Sequence, residues 1–365
     1  MKNLKVALVH EDLSVPHEGA AKVFLAIAEL FPDASIFIPM ATTRWLKRLS
    51  AWKVTTSFMQ RFPAKRRLQR AFTPFYPLAF ESFDLSDYDL VISSSSRFAH
   101  GVVTKPETKH VCYMHSPGRM FWEPHQYFGK DSNLRKLLSP ALSYFRLWDG
   151  AASARVDRFV ANSKNTARRI KKYYGREASI VHPFADLERF APKPESGEQR
   201  TESSYYLVVT RLAPWKRVDV AIEAAKKVGV RVKIVGSGPD RKRLEGIKGA
   251  SAKILGSVGD GELARLYQNC RAFIMTQEED FGITALEAQA AGCPVVAYGA
   301  GGALETISEG KTGEFFYPQT GVALAKALKS FDPKKYKLED CRANAQRFSK
   351  KRFQENLLKE ISKDF

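Results

Sequence analysis

The chain has 365 residues, 44% of them hydrophobic, with a mean hydropathy of −0.31. That length exceeds one comfortable core and implies two domains, and no apolar run is long enough to span a bilayer. A net charge of +19 implies polyanionic company, whether nucleic acid, an anionic membrane surface or phosphorylated substrates, and does not choose among them.

The opening MKNLKVALVHED has too short an apolar stretch for a secretory leader and no small-residue cleavage site, so Val6 to Val9 reads as a buried strand. A loop from His10 to Gly19 leads into a helix with Ala21, Phe24, Leu25 and Ala28 on one face. Gly19 at that helix start would let backbone N–H groups approach a phosphate, although a lone glycine serves as readily as a cap. Residues 59–80, MQRFPAKRRLQRAFTPFYPLAF, carry Arg61, Lys65, Arg66, Arg67 and Arg70 and no acidic residue, with Phe62, Leu68, Phe72, Phe75 and Tyr76 interleaved. Two readings stay open: a solvated basic face docked by its apolar side, or a segment lying on an anionic membrane.

Leu90 to Ile92 and His110 to Tyr113 are further strands. The second puts His115 at a strand's carboxyl end, before a Ser-Pro-Gly turn. Most loop histidines are ordinary polar residues, but a neutral imidazole on such a rim can donate to a ligand hydroxyl without adding charge. Phe159 to Ala161 is another strand, followed by Ser163 in N-cap position before a basic helix ending near Gly175. Cys112, Cys270, Cys293 and Cys341 show no metal or redox spacing and read as reduced, buried thiols of a cytoplasmic protein. Residues 191–204, APKPESGEQRTESS, read as a linker between a domain of residues 1–190 and a second of 205–345.

The second domain opens on a strand, Tyr205 to Val209, and a turn running to Arg217 before an alanine-rich helix. Arg211 and Lys216 flank that helix N-terminus, so two cations and unpaired backbone N–H groups converge, although as isolated residues they would be solvated charges. Val232 to Val235 runs into Gly236-Ser237-Gly238-Pro239, by itself a tight turn, and Ile254 to Val258 follows.

Residues 271–306 hold the densest signal. Ala272 to Met275 is a strand buried on both faces, and an acidic turn, Gln277 to Gly282, follows. Ile283 to Ala291 is helical, stopped by Gly292 with Pro294 beyond, and Pro294 to Tyr298 leads into the glycine turn 299–302. This is the alternation of a doubly wound α/β layer, whose ligands sit outside the carboxyl ends of the strands. Glu279 lies in the turn at that rim. Glu287 stands among Ala285, Leu286, Ala288, Ala290 and Ala291, where a carboxylate needs donors and hydroxyls are good ones. Taken singly, the two would be a solvated loop residue and a surface helix residue. Lys311 to Phe316 is a late strand, and the basic tail from Arg342 to Lys363 a terminal helix.

Residues 279–297, EDFGITALEAQAAGCPVVA, closely resemble the E-x7-E region of glycosyltransferase family 4, the retaining enzymes of GT-B fold. Residues 113–123, YMHSPGRMFWE, resemble the Tyr-Cys-His-Thr-Pro-x-Arg-Tyr-x-Trp-Asp run of bacterial mannosyltransferases in that family, and Arg211 with Lys216 matches its Arg-x4-Lys pair. The resemblance implies two Rossmann-like domains facing across a cleft, with residues 346–365 packing back on the first. It implies transfer of a hexose with retention, characteristically mannose from GDP-mannose, to a glycan or lipid-linked acceptor in O-antigen or exopolysaccharide assembly. In the roles it implies, His115 lies beside the donor sugar, while Glu279 contacts sugar hydroxyls or buttresses charge at the anomeric carbon. Arg211 and Lys216 bind the diphosphate and Glu287 the ribose. Backbone N–H groups of Phe281, Gly282, Ile283 and Thr284 meet sugar or phosphates, and the strand end at Val258 faces the base. Where the family usually has Gly-Gly-Ala-Glu, this chain has Glu18-Gly19-Ala20-Ala21, lacking one glycine and the acidic residue. No metal or other cofactor is expected, the two cations standing in for one.

Met114, Gly118 and Phe121 depart from the commonest forms, so GDP-fucose or a UDP-hexose stays open as donor. Two other classes compete. A nucleic-acid-binding protein would explain the charge but not Glu279, Glu287 and His115. A sugar-nucleotide epimerase of similar architecture would turn over its donor with no acceptor. The expected partners are a sugar nucleotide, its acceptor and an anionic membrane through 59–80, without nucleic acid. The expected location is cytoplasmic, peripheral at the inner membrane face.

Overall fold

The computed structural model describes residues 4–14, 18–63, 68, 71–129, 132–191 and 204–364. They form two compact units, Met1–His182 with Phe353–Phe365, and Pro183–Arg352. The first is built on seven strands: β1 (Val6–His10), β2 (Ser35–Ile38), β3 (Lys53–Thr56), β4 (Leu90–Ser95), β5 (Lys109–Met114), β6 (Arg158–Ala161) and β7 (Ala178–Ile180). Their order is β3-β2-β1-β4-β5-β6-β7, parallel at every pairing. The second has six: β8 (Tyr205–Val209), β9 (Arg231–Val235), β10 (Ala252–Gly256), β11 (Phe273–Met275), β12 (Val295–Tyr298) and β13 (Gly313–Phe316). Their order is β10-β9-β8-β11-β12-β13, again all parallel.

The continuous apolar runs follow from burial on both faces. In the second unit, helix Val218–Val228 packs Ala221, Ile222 and Ala225 with Val208 and Ile234 in one cluster. Helix Ile283–Ala290 sets Ala285 and Ala288 with Phe273 and Val295 in another. Gly292, at φ 76°, stops that helix, as its sequence implies.

Three boundaries differ from expectation. The chain leaves the first unit after His182 rather than near 190, because Phe190 is buried with Leu207, Tyr267 and Phe273. The tail is two helices, Leu338–Gln346 and Lys350–Ile361, since Phe348 turns in against Ala185, Phe281 and Leu286. The chain rejoins the first unit at Phe353, whose ring meets Tyr113 edge-on at 5.5 Å, while Gln354 Nε2 donates to Ala26 O at 3.0 Å. Of the expected linker only Ala191 and Ser204 are described, and Lys65, Arg66, Arg67 and Arg70 also lie outside the described residues. All four cysteines are buried and unbridged, with the Cys270 and Cys293 sulfurs 3.1 Å apart, a closeness their spacing does not show. Among the described residues no helix is long and apolar enough to cross a membrane.

His110 on β5 is fully buried, with Nε2 2.8 Å from Ser93 Oγ, and burial, reinforced by His100, holds its pKa down at about 3. In the unfolded chain it titrates near its ordinary value of about 6.5, so below that pH the unfolded state binds the extra proton. Its contribution is therefore whole above about pH 6.5 and is lost as pH falls toward 3. The expected loss from this group approaches about 1.4 kcal/mol per pH unit below its unfolded pKa, read from denaturant midpoints between about pH 6 and pH 4. His110→Gln should flatten that slope, and an unchanged slope would assign the acid sensitivity elsewhere.

Candidate active site

Each sheet reverses its strand order once, between β1 and β4 and between β8 and β11. There successive connections leave toward opposite faces, so the carboxyl ends stay open for a ligand. The candidates of the second unit gather at its reversal. After β8 the turn Pro214–Lys216 ends on Arg217, in the left-handed region at φ 49°, before helix Val218–Val228 begins. Lys216 Nζ lies 2.5 Å from Glu279 Oε1, in the loop after β11, and Gln277 Nε2 donates to the same oxygen at 2.7 Å. The two charged side chains are 17% and 21% exposed, enough for a ligand to reach them and little enough to weaken water's screening. Thr276 Oγ1 donates to Lys216 O at 2.9 Å, and Gln319 Nε2 to Thr276 O at 2.8 Å, tying the loops after β8, β11 and β13 together.

The acidic turn is clasped from its other side. Gly302 N–H donates to Glu279 O at 2.9 Å, and a Cβ there would come within 2.2 Å of Phe281 O. Only glycine permits that approach. Phe281 itself is core, its ring edge-on to Phe348, so what it offers a ligand is backbone. Gly282, at φ 96°, starts the next helix, leaving the first N–H groups at Ile283 and Thr284 without helical acceptors. Glu287, half-buried one face further on, accepts from Tyr267 Oη at 3.3 Å. Burial, with Glu287 adjacent, pushes the Tyr267 phenol far above its ordinary range, so it stays a donor. Arg211 is exposed and has no ion pair among the described residues. Its turn is backed by the Gly-x-Gly loop: Leu212 N–H donates to Ser237 O at 2.9 Å, and a Cβ on Gly236 would meet Thr210 O at 1.9 Å. Val258 lies just past β10, half-buried on the cluster beneath. An ammonium has three donors and Glu279 uses one, so Lys216 retains capacity for an anion beside the Arg211 turn.

His115 belongs to the first unit, on the rim beside the β1–β4 reversal. Its N–H donates to Ser95 O at 2.8 Å, and its carbonyl accepts from Asn162 Nδ2 at 2.9 Å and Thr166 Oγ1 at 3.3 Å. Its ring Nε2 is 2.8 Å from Ser94 Oγ, which also lies 3.1 Å from His10 Nδ1. Next to them Glu11 Oε1 accepts the N–H groups of Ser96, Arg97, Phe98 and Ala99 at 2.8–3.2 Å. Burial alone would raise the Glu11 carboxyl, but the charge of Arg97 and these donors bring it below its usual value. Gly19 is exposed in the first turn of helix Glu18–Ala28, and residues 15–17 before it lie outside the described residues.

The structure thus joins Lys216 to Glu279 directly, sets Glu287 on the adjoining helix and Arg211 in the same turn as Lys216. Sequence reasoning missed Gln277, Gln319 and Tyr267 in the second unit, and His10, Glu11 and Ser94 in the first. One signal was present: three consecutive serines, Ser93 to Ser95, in a fully buried strand must each find a partner. The resemblance to a metal-independent family carries the expectation that no Asp-x-Asp pair occurs, but the sequence has one, Asp87-Tyr88-Asp89. It precedes β4, at the opposite edge of the sheet from the rim, and Asp89 Oδ2 accepts the Lys5 N–H at 2.8 Å.

Two family models match in succession, Glycosyltransferase Family 4 over residues 18–189 and Glycosyl transferases group 1 over residues 190–348. Among curated proteins, a D-inositol 3-phosphate glycosyltransferase of Geodermatophilus obscurus is 30% identical over 190 residues, 44% of this chain and 42% of that protein. One from Streptomyces avermitilis is 28% identical over 207 residues, 49% of this chain and 45% of that protein. The chain thus spans less than half the length of these curated relatives. Among solved structures, Anabaena HepE in complex with UDP superposes with a TM-score of 0.71 at 19% identity, over 99% of this chain and 100% of that one. Sucrose-phosphate synthase from Thermosynechococcus elongatus does so with a TM-score of 0.73 at 15% identity, over 98% and 99%. At such identities the likeness is one of fold. Two doubly wound parallel sheets, with a Family 4 domain followed by a group 1 domain, place the chain among the glycosyltransferases of GT-B type.

Proposed function

We propose that the protein moves a hexose, with retention of configuration, from a nucleoside-diphosphate donor to a glycan or lipid-linked hydroxyl in cell-surface polysaccharide synthesis. GDP-mannose is the donor that the 113–123 run favours. The observation that carries this reading is the Lys216–Glu279 pair at the strand-order reversal of the second unit. Lys216 and Arg211 take up the charge that grows on the diphosphate as its bond to the anomeric carbon breaks. Glu279, held by Lys216 and Gln277, accepts from sugar hydroxyls and faces the positive charge developing at that carbon. Backbone N–H groups from Phe281 to Thr284 contact sugar or phosphates, Glu287 with Tyr267 holds the ribose, and the chain past β10 at Val258 meets the base. The acceptor oxygen bonds to the anomeric carbon on the face the diphosphate leaves, and its proton passes to the departing phosphate oxygen. His115 is assigned the donor sugar by its 113–123 run, and Gly19 is the weakest member of the set because its motif is incomplete. No metal enters this scheme, since the two cations carry the charge.

A UDP-hexose donor is the second reading, favoured by the UDP and UDP-glucose bound in HepE. The D-inositol 3-phosphate named for the curated relatives makes a phosphorylated acceptor compatible with the +19 charge. Membrane contact through 59–80, at the cytoplasmic face, belongs to the proposal too. Helix Asn133–Ser153 supports it: Leu137 and Leu147 are 76% and 75% exposed, Leu134 and Tyr144 54% and 60%, and Lys136 on the same helix is exposed too. No acidic residue occurs from 132 to 148, and Phe58, Phe75 and Leu78 are exposed on the neighbouring segment. Both segments bury their inner faces, Leu142 and Phe145 against Met59, Tyr76 and Phe80, in one cluster. Exposed leucines beside cations match the interface of an anionic bilayer.

A charge-assisted contact contributes about 1.5–3 kcal/mol, so Lys216→Ala should lower kcat/KM roughly ten- to a hundredfold and weaken nucleoside-diphosphate binding. Glu279→Gln should lower kcat while leaving that binding intact, and chelation with EDTA should change neither. Full transferase activity in both variants would move the site elsewhere. In a thermal-shift panel GDP-mannose should raise Tm most; a larger shift with UDP-glucose would promote the second reading. Leu137→Glu combined with Leu147→Glu should release the protein from anionic phospholipid vesicles in flotation, and undiminished flotation would remove that surface from the proposal.

A further inference from the structure

We infer that Ser94 and His10 fix the tautomer of His115, so that its ring meets a ligand as an N–H donor at Nδ1. The use of that donor rests on the proposed contact between His115 and the sugar; the tautomer follows from hydrogen bonding alone. His10 Nδ1 is 3.2 Å from the Ser94 carbonyl oxygen and 3.1 Å from Ser94 Oγ. A carbonyl only accepts, and a bare ring nitrogen this close would oppose two lone pairs. His10 therefore carries its proton on Nδ1 and shares it between the two oxygens. Ser94 Oγ, accepting from His10, has one proton of its own to place, and its other ring neighbour is His115 Nε2 at 2.8 Å. That makes Nε2 the lone-pair nitrogen, and a neutral His115 then bears its proton on Nδ1.

On the next rung of the same strand Ser95 Oγ donates to Glu11 Oε1 at 3.2 Å and lies 3.1 Å from His100 Nδ1, while His100 Nε2 faces Asp149 Oδ1 at 3.3 Å. The relay at His115 is rigid. His10 is buried and stacked on Phe24 at 4.4 Å and 9°, Ser94 is buried inside β4, and the His115 backbone is held by Ser95, Asn162 and Thr166. Ser94 and His10 are thus positioning residues. Their consequence is chemical: His115 offers a neutral N–H to a hydroxyl, ring or phosphate oxygen, and its Nδ1 has no lone pair with which to take a proton from an acceptor. This agrees with the proton leaving on the diphosphate.

The test is a long-range proton–nitrogen correlation spectrum of the full chain labelled with 15N-histidine at neutral pH, with His115→Gln assigning the signals. The expected result is a His115 ring with a protonated Nδ1 and an unprotonated Nε2. In Ser94→Ala the ring should shift toward the Nε2–H form, with a several-fold loss of kcat at unchanged donor KM, and Ser94→Thr should restore both. A wild-type ring protonated on Nε2 overturns the inference, and that spectrum decides even if Ser94→Ala does not fold. If the ring is protonated on Nδ1 but His115→Ala keeps full activity, the tautomer stands and the proposed sugar contact fails.

Discussion

Parallel strands cannot be joined by tight turns, so every connection in both sheets must cross back over a face. Where the order reverses, two successive connections part to opposite faces and no loop covers the strand ends between them. This constraint explains why the polar residues of interest collect where they do. In the first unit the reversal falls between the ends of β1 and β4, where His10, Glu11 and Ser94 lie buried, with the half-buried His115 one strand over. In the second it exposes the ends of β8 and β11, and Lys216 meets Glu279 across that opening.

The two rims solve the burial of polar groups differently. In the first unit the solution is nearly neutral: serine hydroxyls of β4 pair with imidazoles, and Glu11 is quietened by a ring of backbone N–H groups. Such a network has few free protons, so each hydroxyl's direction constrains the next. In the second unit the solution is ionic and half-open. A lysine and a glutamate meet beside an arginine with no ion pair among the described residues. An anionic ligand entering from water would meet a Lys216 ammonium already held in place by Glu279.

Glycines decide whether the ionic rim can form. Gly302 and Gly236 each stand where another main chain passes too close for a Cβ. They clasp the loops that carry Glu279 and Arg211, so the side chains are placed by backbone contacts rather than by their own rotamers. The glycine turn 299–302 and the Gly-x-Gly run read as local turns in the sequence, yet their partners lie about twenty residues or more away along the chain.

What the sequence by itself determined is whatever depends on near neighbours. Buried strands, the helix stopped at Gly292, the Ser163 cap and the rim positions of His115, Lys216 and Glu279 are all local, because periodicity and turn chemistry act over a few residues. The Glu279–Glu287 spacing marked the second unit for the same reason. Only the tertiary structure decided the pairings: Lys216 with Glu279, Tyr267 with Glu287, Ser94 between His10 and His115, Cys270 beside Cys293. It also moved the first boundary to His182 and broke the tail at Phe348, since both depend on which core captures an aromatic ring. Hydrogen bonds and ion pairs reach only a few ångströms, and which distant residues come that close is set by strand order and loop closure, neither of which a linear pattern contains.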